Sequence, residues 1–249
     1  VKHYDAVLFD LFGTIALFNP GKLPVFEWKG QTTRSTMGRL RDVVTDVVPS
    51  VPFERFHQAL GEVNQELGAI RSAEMREISS AERFRRTLVH AGLDDSPETA
   101  RLGTSLSLAH MDLLAHATEV PPAHTQFVVR VSEHYPTALV SNFDHAPTAR
   151  RVIQEGQVAD CFRCTVISAE HGWRKPHQKI FHDTLAQLQV APQSALFVGD
   201  SPHDDVTGAQ RAGMDIAWVN ASGAELPVDC PRPQYTIRAI PELASLLLP

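Results

Sequence analysis

Apolar positions follow two rhythms along this chain. Five short, nearly unbroken apolar runs, Ala6–Phe9, Thr137–Val140, Cys164–Ile167, Ala195–Val198 and Ile216–Val219, each end in small or polar residues. A strand buried on both faces reads this way, because neither set of alternating side chains meets water. Helical patterns fill the gaps, and strands that alternate with helices argue for an α/β fold on a doubly wound parallel sheet. Right-handed crossovers then bring every strand's C-terminal end to one edge, where open α/β sheets bind ligands. A sixth run, Tyr235–Ile237, precedes a last helix expected from about Pro241, with proline in its first turn.

The stretch from Leu17 to Val120 keeps the other rhythm. It shows no convincing strand run, but helical patterns over Met37–Val48, Pro52–Ile70, Ser80–Ala91 and Pro97–Ala117. In the second of these, Phe53, Phe56, Ala59, Leu60, Val63 and Leu67 recur every three or four residues and make one apolar face. Ser79 with Glu82 forms a capping box ahead of the third. Asn19-Pro20-Gly21 and Val120-Pro121-Pro122 are turn signals at the two borders. The expectation is a helical cap over residues 17–120, inserted into a catalytic core of residues 1–16 and 121–249.

Composition narrows this picture only a little. The 249 residues are 43% hydrophobic and 21% charged, with a formal net charge of -6. No basic stripe suggests nucleic acid as a partner, and no apolar run approaches the ~18 residues of a membrane span. The first residues, Val-Lys-His-Tyr-Asp, run straight into a strand pattern with no signal-peptide pattern. Three cysteines, Cys161, Cys164 and Cys230, fit a reducing compartment, so a cytoplasmic location is expected. The Cys161/Cys164 pair has no second ligand pair at zinc spacing and reads as inert thiols.

The strand ends carry the chemistry. The first delivers Asp10 and then Leu11-Phe12-Gly13-Thr14; the second delivers Ser141-Asn142. Gly172-Trp173-Arg174-Lys175-Pro176 lies beyond the third, and the fourth delivers Gly199-Asp200-Ser201 with Asp204 and Asp205 close behind. Taken singly, each residue has an ordinary explanation as a turn former, a helix cap or a surface charge. In a parallel sheet, however, they converge as several carboxylates, a hydroxyl and an ammonium at one edge. That set suits anionic chemistry assisted by a cation.

In that order and spacing, these residues resemble the four motifs of the haloacid-dehalogenase-like hydrolase superfamily, in the branch with a helical cap after the first motif. Asp10 to Thr14 matches motif one, Ser141 motif two, Lys175 motif three, and Gly199-Asp200-Ser201 with Asp205 motif four. Gly208-Ala209 and Ala212-Gly213 resemble the usual continuation of the last motif. The resemblance covers nearly the whole chain and implies a Rossmann-like core. It implies Asp10 as nucleophile, with Mg²⁺ held by Asp10, the backbone carbonyl of Phe12 and Asp200. Asp205 would stand beside the ion, directly or through water or Lys175. Thr14, Ser141, Asn142 and Lys175 would hold a small phosphorylated substrate, with Ser141 and Lys175 also serving the transfer step.

One position departs from the phosphatase pattern. Phosphatases of the superfamily usually carry a second Asp two residues after the nucleophile, as general acid and base. Here that residue is Phe12. Asp-x-Phe-Gly-Thr looks more like the superfamily's haloacid dehalogenases, whose reaction needs no general acid and no metal. Gly199-Asp200-Ser201 points the other way, since dehalogenases generally have Ser-Asn there. The charge argument favours a Mg²⁺-dependent phosphohydrolase through an aspartyl-phosphate intermediate. The alternatives are a metal-independent 2-haloacid dehalogenase and a nearly inactive phosphate-binding or scaffold protein. Replacement acids include His145, His171 and His203. Arg71 and Arg76 in the cap reach an anionic substrate on one reading and are solvated helix positions on the other. Phe26 and Trp28 line a pocket or pack.

Overall fold

A computed structural model describes residues 2–248, so Val1 and Pro249, the outermost residues of the expected core, lie outside the described residues. The chain divides into two units, one of Val1–Leu17 with Glu119–Pro249 and the other of Phe18–Thr118.

The first unit is built on six parallel strands: β1 (Ala6–Phe9), β2 (Thr137–Ser141), β3 (Cys164–Ile167), β4 (Ala195–Gly199), β5 (Asp215–Val219) and β6 (Tyr235–Ile237), in the order β6-β5-β4-β1-β2-β3. Every residue of β1, β2 and β4 is buried. In β1, Val7 and Phe9 join one apolar cluster and Ala6 and Leu8 join another, so the sheet is covered on both faces. That double burial is why these strands read as continuous apolar runs. The chain leaves β1 for β2 and β3 on one side and returns to β4 on the other. The switch in direction therefore falls at β1, the place where open sheets of this kind bind ligands. The last helix starts as a 3-10 turn, Ile240–Leu243, before Ala244–Leu247.

The second unit holds four helices, Met37–Val47, Phe53–Glu74, Ser80–His90 and Pro97–His116. The apolar face of the second buries all six residues from Phe53 to Leu67 that the spacing singles out. Phe56 stacks on Phe84 within this unit's core, beside Leu40, Leu88 and Leu106. Ser79 caps the third helix by accepting the Glu82 N–H. The Glu82 carboxylate does not return the bond; it pairs with Arg85 and Arg86 instead.

This unit also contains a hairpin that the sequence pattern does not predict. Val25–Trp28 pairs antiparallel with Gln31–Arg34 across Lys29-Gly30. Both turn residues have positive φ, 50° and 78°, the conformation that a tight primed turn demands. Phe26 is buried in the unit's core, and Trp28 packs edge-on to Phe53 and stacks on His57. Among the described residues, no helix is long and apolar enough to cross a membrane.

Candidate active site

Asp10 follows β1 directly and is 6% exposed, its N–H donated to the Val198 carbonyl of β4 at 2.8 Å. Lys175, 2% exposed, donates to Asp10 Oδ1 at 2.6 Å and to the Val140 carbonyl of β2 at 2.8 Å. Its third neighbour is Asp205 Oδ1, an ion pair at 2.7 Å. Asp205 in turn accepts the Ser201 N–H on Oδ2 at 2.9 Å. The ammonium thus ties the ends of β1 and β2 to the segment Pro202–Thr207 that follows β4.

Asn142 is committed to the same construction. Its Oδ1 accepts the Lys175 N–H at 2.7 Å, while its Nδ2 donates to the Lys175 carbonyl at 2.9 Å and to Asp204 Oδ2 at 3.0 Å. The residue expected to touch substrate therefore clamps the Lys175 backbone on both sides. Ser201 accepts the Asp204 N–H on its hydroxyl and caps the segment. Trp218 of β5 donates its indole N–H to the Asp200 carbonyl at 2.9 Å. Gly13 adopts φ +88°, and a Cβ there would collide with the Asp200 carboxylate. A Cβ at Gly199 would strike the Asp205 side chain in the same way.

Two hydroxyls stand apart from this network. Ser141 Oγ and Thr14 Oγ1 are buried and have no hydrogen-bond partner among the described residues. A buried hydroxyl without a partner costs about 1–3 kcal/mol, so both are set up to bond a polar ligand. Phe12 has a different environment. It is half-buried and lies against Phe143 with ring centroids 4.4 Å apart.

The electrostatics are unbalanced. Lys175 is the one buried cation among the described residues, and Asp10, Asp200, Asp204 and Asp205 gather around it. Burial pushes the Asp10 carboxyl up, Lys175 pulls it down and Asp205 and Asp200 push it up again, which together raise it to about 7. Asp200 rises to about 6, through burial first and Asp205 second. Asp204 is raised by burial and by Asp205. Burial alone would lower the Lys175 ammonium, but Asp10 and Asp205 more than reverse this and hold it protonated. Carboxylate oxygens of Asp10, Asp200 and Asp205 lie within 4.8 Å of one another. An all-oxygen donor set with surplus negative charge fits a hard divalent cation.

This surplus predicts a pH dependence. A carboxyl whose folded pKa exceeds its ordinary 3.8 adds stability that is complete below 3.8 and is lost as pH rises through the folded value. Metal-free protein should therefore lose stability as pH climbs from 3.8 to about 7. A divalent cation held there would relieve the repulsion, so added Mg²⁺ should raise Tm more at about pH 7.5 than at about pH 5. Thermal unfolding with Mg²⁺ and with EDTA reads this directly, and an equal rise at both pH values would contradict it.

The other expected residues have contacts of their own. Arg71, in the helix Phe53–Glu74, pairs with the buried carboxylate of Glu77 at 3.1 Å and donates to the Ile78 carbonyl. Arg76 is exposed in the connection after that helix. His145 bonds Thr148, and burial lowers its pKa. His171 is bound to Asp183 at 2.9 Å. His203 lies beside Cys230 and Asp229. Cys161 and Cys164 are free thiols, with Cys164 pushed up by burial.

With this geometry in place, comparison with known proteins gives consistent findings. The family model of haloacid dehalogenase-like hydrolases matches residues 4–213. Over 138 residues the chain is 29% identical to the glyceraldehyde 3-phosphate phosphatase of Pyrococcus furiosus, covering 55% of this chain and 57% of that protein. Over 63 residues it is 41% identical to the phosphoserine phosphatase of Thermus thermophilus, 25% of each. The chain thus spans about half the length, or less, of these curated relatives. Among solved structures, the 2-haloacid dehalogenase of Pseudomonas syringae shares the fold with a TM-score of 0.75 at 22% identity, covering 98% of both chains.

Proposed function

This chain belongs to the haloacid dehalogenase-like hydrolase family, and within it we propose a Mg²⁺-dependent phosphohydrolase of small phosphorylated metabolites with Asp10 as nucleophile. The observation that carries this reading is the surplus of carboxylates, Asp10, Asp200 and Asp205, around the single ammonium of Lys175. Attack on carbon with loss of halide has no use for Asp200. Attack on a phosphoryl group does, because a cation held there offsets repulsion between nucleophile and substrate. The phosphatase names of the sequence relatives support the same choice.

Asp10, the Phe12 carbonyl and Asp200 would hold the ion, with Asp205 beside it, and it would supply charge neutralisation at the transferring phosphoryl group. The remaining steps belong to the chain. Lys175 holds the Asp10 carboxylate through a 2.6 Å bond and supports the charge that develops on phosphoryl oxygens. Ser141 and Thr14 donate their unpartnered hydroxyls to those oxygens. A bond forms between the Asp10 carboxylate and phosphorus as the bond to the leaving oxygen breaks. Water then attacks phosphorus, releases phosphate and restores Asp10.

Phe12 takes part in neither proton transfer. It has no proton to give the leaving oxygen and no lone pair to take one from water. The reading therefore predicts fast transfer to Asp10, seen as a burst of leaving group, from substrates whose leaving group departs unprotonated, such as acyl and aryl phosphates, and slow transfer from alkyl phosphates. Phe12→Asp should raise alkyl phosphate hydrolysis by about 100-fold, the scale of a restored general acid. Equal rates of this first step for both substrate classes in the unaltered protein would contradict this account of Phe12.

One observation favours a second reading. The Phe12 and Phe143 rings pack together, with Phe12 two residues beyond the nucleophile, and an apolar side chain at that position would suit a haloacid carbon chain. A single comparison separates the two: phosphate release from a panel of esters with Mg²⁺ or EDTA, and chloride release from 2-chloropropionate. Mg²⁺-dependent phosphate release is expected. Chloride release that survives EDTA, with no phosphate released, would overturn the proposal.

A further inference from the structure

The segment that carries Asp204 and Asp205 also carries His203, whose ring meets a different set of partners. His203 Nδ1 lies 3.4 Å from the Cys230 thiol and 3.8 Å from Asp229 Oδ2. The three ligand atoms all fall within 4.8 Å of one another. Asp229 and Cys230 come from the connection between β5 and β6, so two separate stretches of the same unit supply the set. Cys230 is buried, whereas the His203 and Asp229 side chains are 61% and 70% exposed, and a cleft of about 450 Å³ opens beside Asp229 and Cys230.

The separation of His203 from Cys230 is that of a coordination sphere, and Asp229 lies just outside it. A tetrahedral ion bound at ~2.3 Å by sulfur and ~2.0 Å by imidazole and carboxylate separates its ligand atoms by roughly 3.3–3.5 Å, so the exposed Asp229 side chain has to close in slightly on binding. The donors are also chemically distinct from those around Asp10. That cluster offers oxygen alone, which suits Mg²⁺, whereas thiolate, imidazole and carboxylate together select a softer divalent ion. We propose that His203, Asp229 and Cys230 form a second, peripheral Zn²⁺ site with one coordination position open to solvent. On binding, the Cys230 thiol gives its proton to solvent and the thiolate, the His203 imidazole and the Asp229 carboxylate close on the ion. The ion then ties the Pro202–Thr207 segment to the β5–β6 connection. This site stands independently of the phosphohydrolase reading.

Co²⁺ is the spectroscopic probe. Titrated into the full chain, it should give a thiolate-to-cobalt charge-transfer band that one equivalent of Zn²⁺ abolishes. Cys230→Ser should remove the band. His203→Ala, at an exposed position that leaves the fold intact, should weaken Co²⁺ binding at least about 100-fold, because even outer partners of a metal contribute 10–100-fold. Asp200→Asn, which alters the other cluster, should leave the band unchanged whatever its effect on phosphate release. The proposal is overturned if no thiolate band forms, which would leave His203 and Cys230 as a hydrogen-bonded pair. A band that survives Cys230→Ser, and so belongs to Cys161 or Cys164, overturns it equally.

Discussion

Asp10→Asn should lower Mg²⁺-dependent phosphate release by about 10⁴-fold or more, the scale on which nucleophile replacements act, without loss of fold. The two side chains have nearly the same shape, and an amide oxygen can still accept the Lys175 ammonium. The amide cannot attack phosphorus. It also removes one negative charge from a group of four carboxylates, while Lys175 keeps its 2.7 Å partner in Asp205. Tm of the metal-free variant should therefore equal or exceed that of the unaltered protein, and kcat and Tm together separate chemistry from unfolding. Turnover within tenfold of the original would remove Asp10 from the role proposed for it.

Lys175→Met carries the second large effect, and it falls on stability as much as on activity. Lys175 is buried and bonds Asp10, Asp205 and the Val140 carbonyl. Taking away one member of a buried ion cluster leaves the others uncompensated, a loss of about 3–5 kcal/mol. The sign with pH follows. Without the ammonium, the Asp10 carboxyl, already raised by burial, loses what pulls it down and rises further. The folded variant then binds protons more tightly than the unfolded chain, and its stability should recover as pH falls toward 3.8. Denaturant unfolding across pH tests this. A variant with unchanged stability at neutral pH would show that Lys175 is not the counter-charge of this cluster.

Much of the fold is legible in the sequence because burial on both faces leaves a simple mark. Ala6–Phe9 is uniformly apolar since Val7 and Phe9 face one cluster and Ala6 and Leu8 the other. The face from Phe53 to Leu67 is equally plain, because one side of a long helix is buried and the other is wet. The hairpin at Val25–Trp28 escapes this logic. Its strands are four residues each, the second wholly exposed, and Lys29-Gly30 is not a strong turn signature.

The site divides in the same manner. The positions of Asp10, Ser141, Lys175 and Asp200 follow from strand ends, which the pattern marks. What each side chain does there depends on contacts that no local spacing records. Asn142 is taken up by the Lys175 backbone, 33 residues away. Arg71 is held by Glu77 across a helix end. The pairing of Phe12 with Phe143 joins two strand ends far apart in the chain. His203 meets Cys230 across 27 residues, and neither neighbourhood contains a metal-binding spacing.

The central claim is that Asp10 takes the phosphoryl group onto its own carboxylate. With Phe12 unable to activate water, the second step is the slow one, so the intermediate should accumulate during turnover. The direct measurement is acid quench during steady-state hydrolysis of an aryl phosphate with Mg²⁺, followed by mass analysis of the peptide that carries Asp10. A phosphoryl group on that peptide, absent in Asp10→Asn, is the predicted result. Continued phosphate release with no adduct on Asp10 would contradict the account.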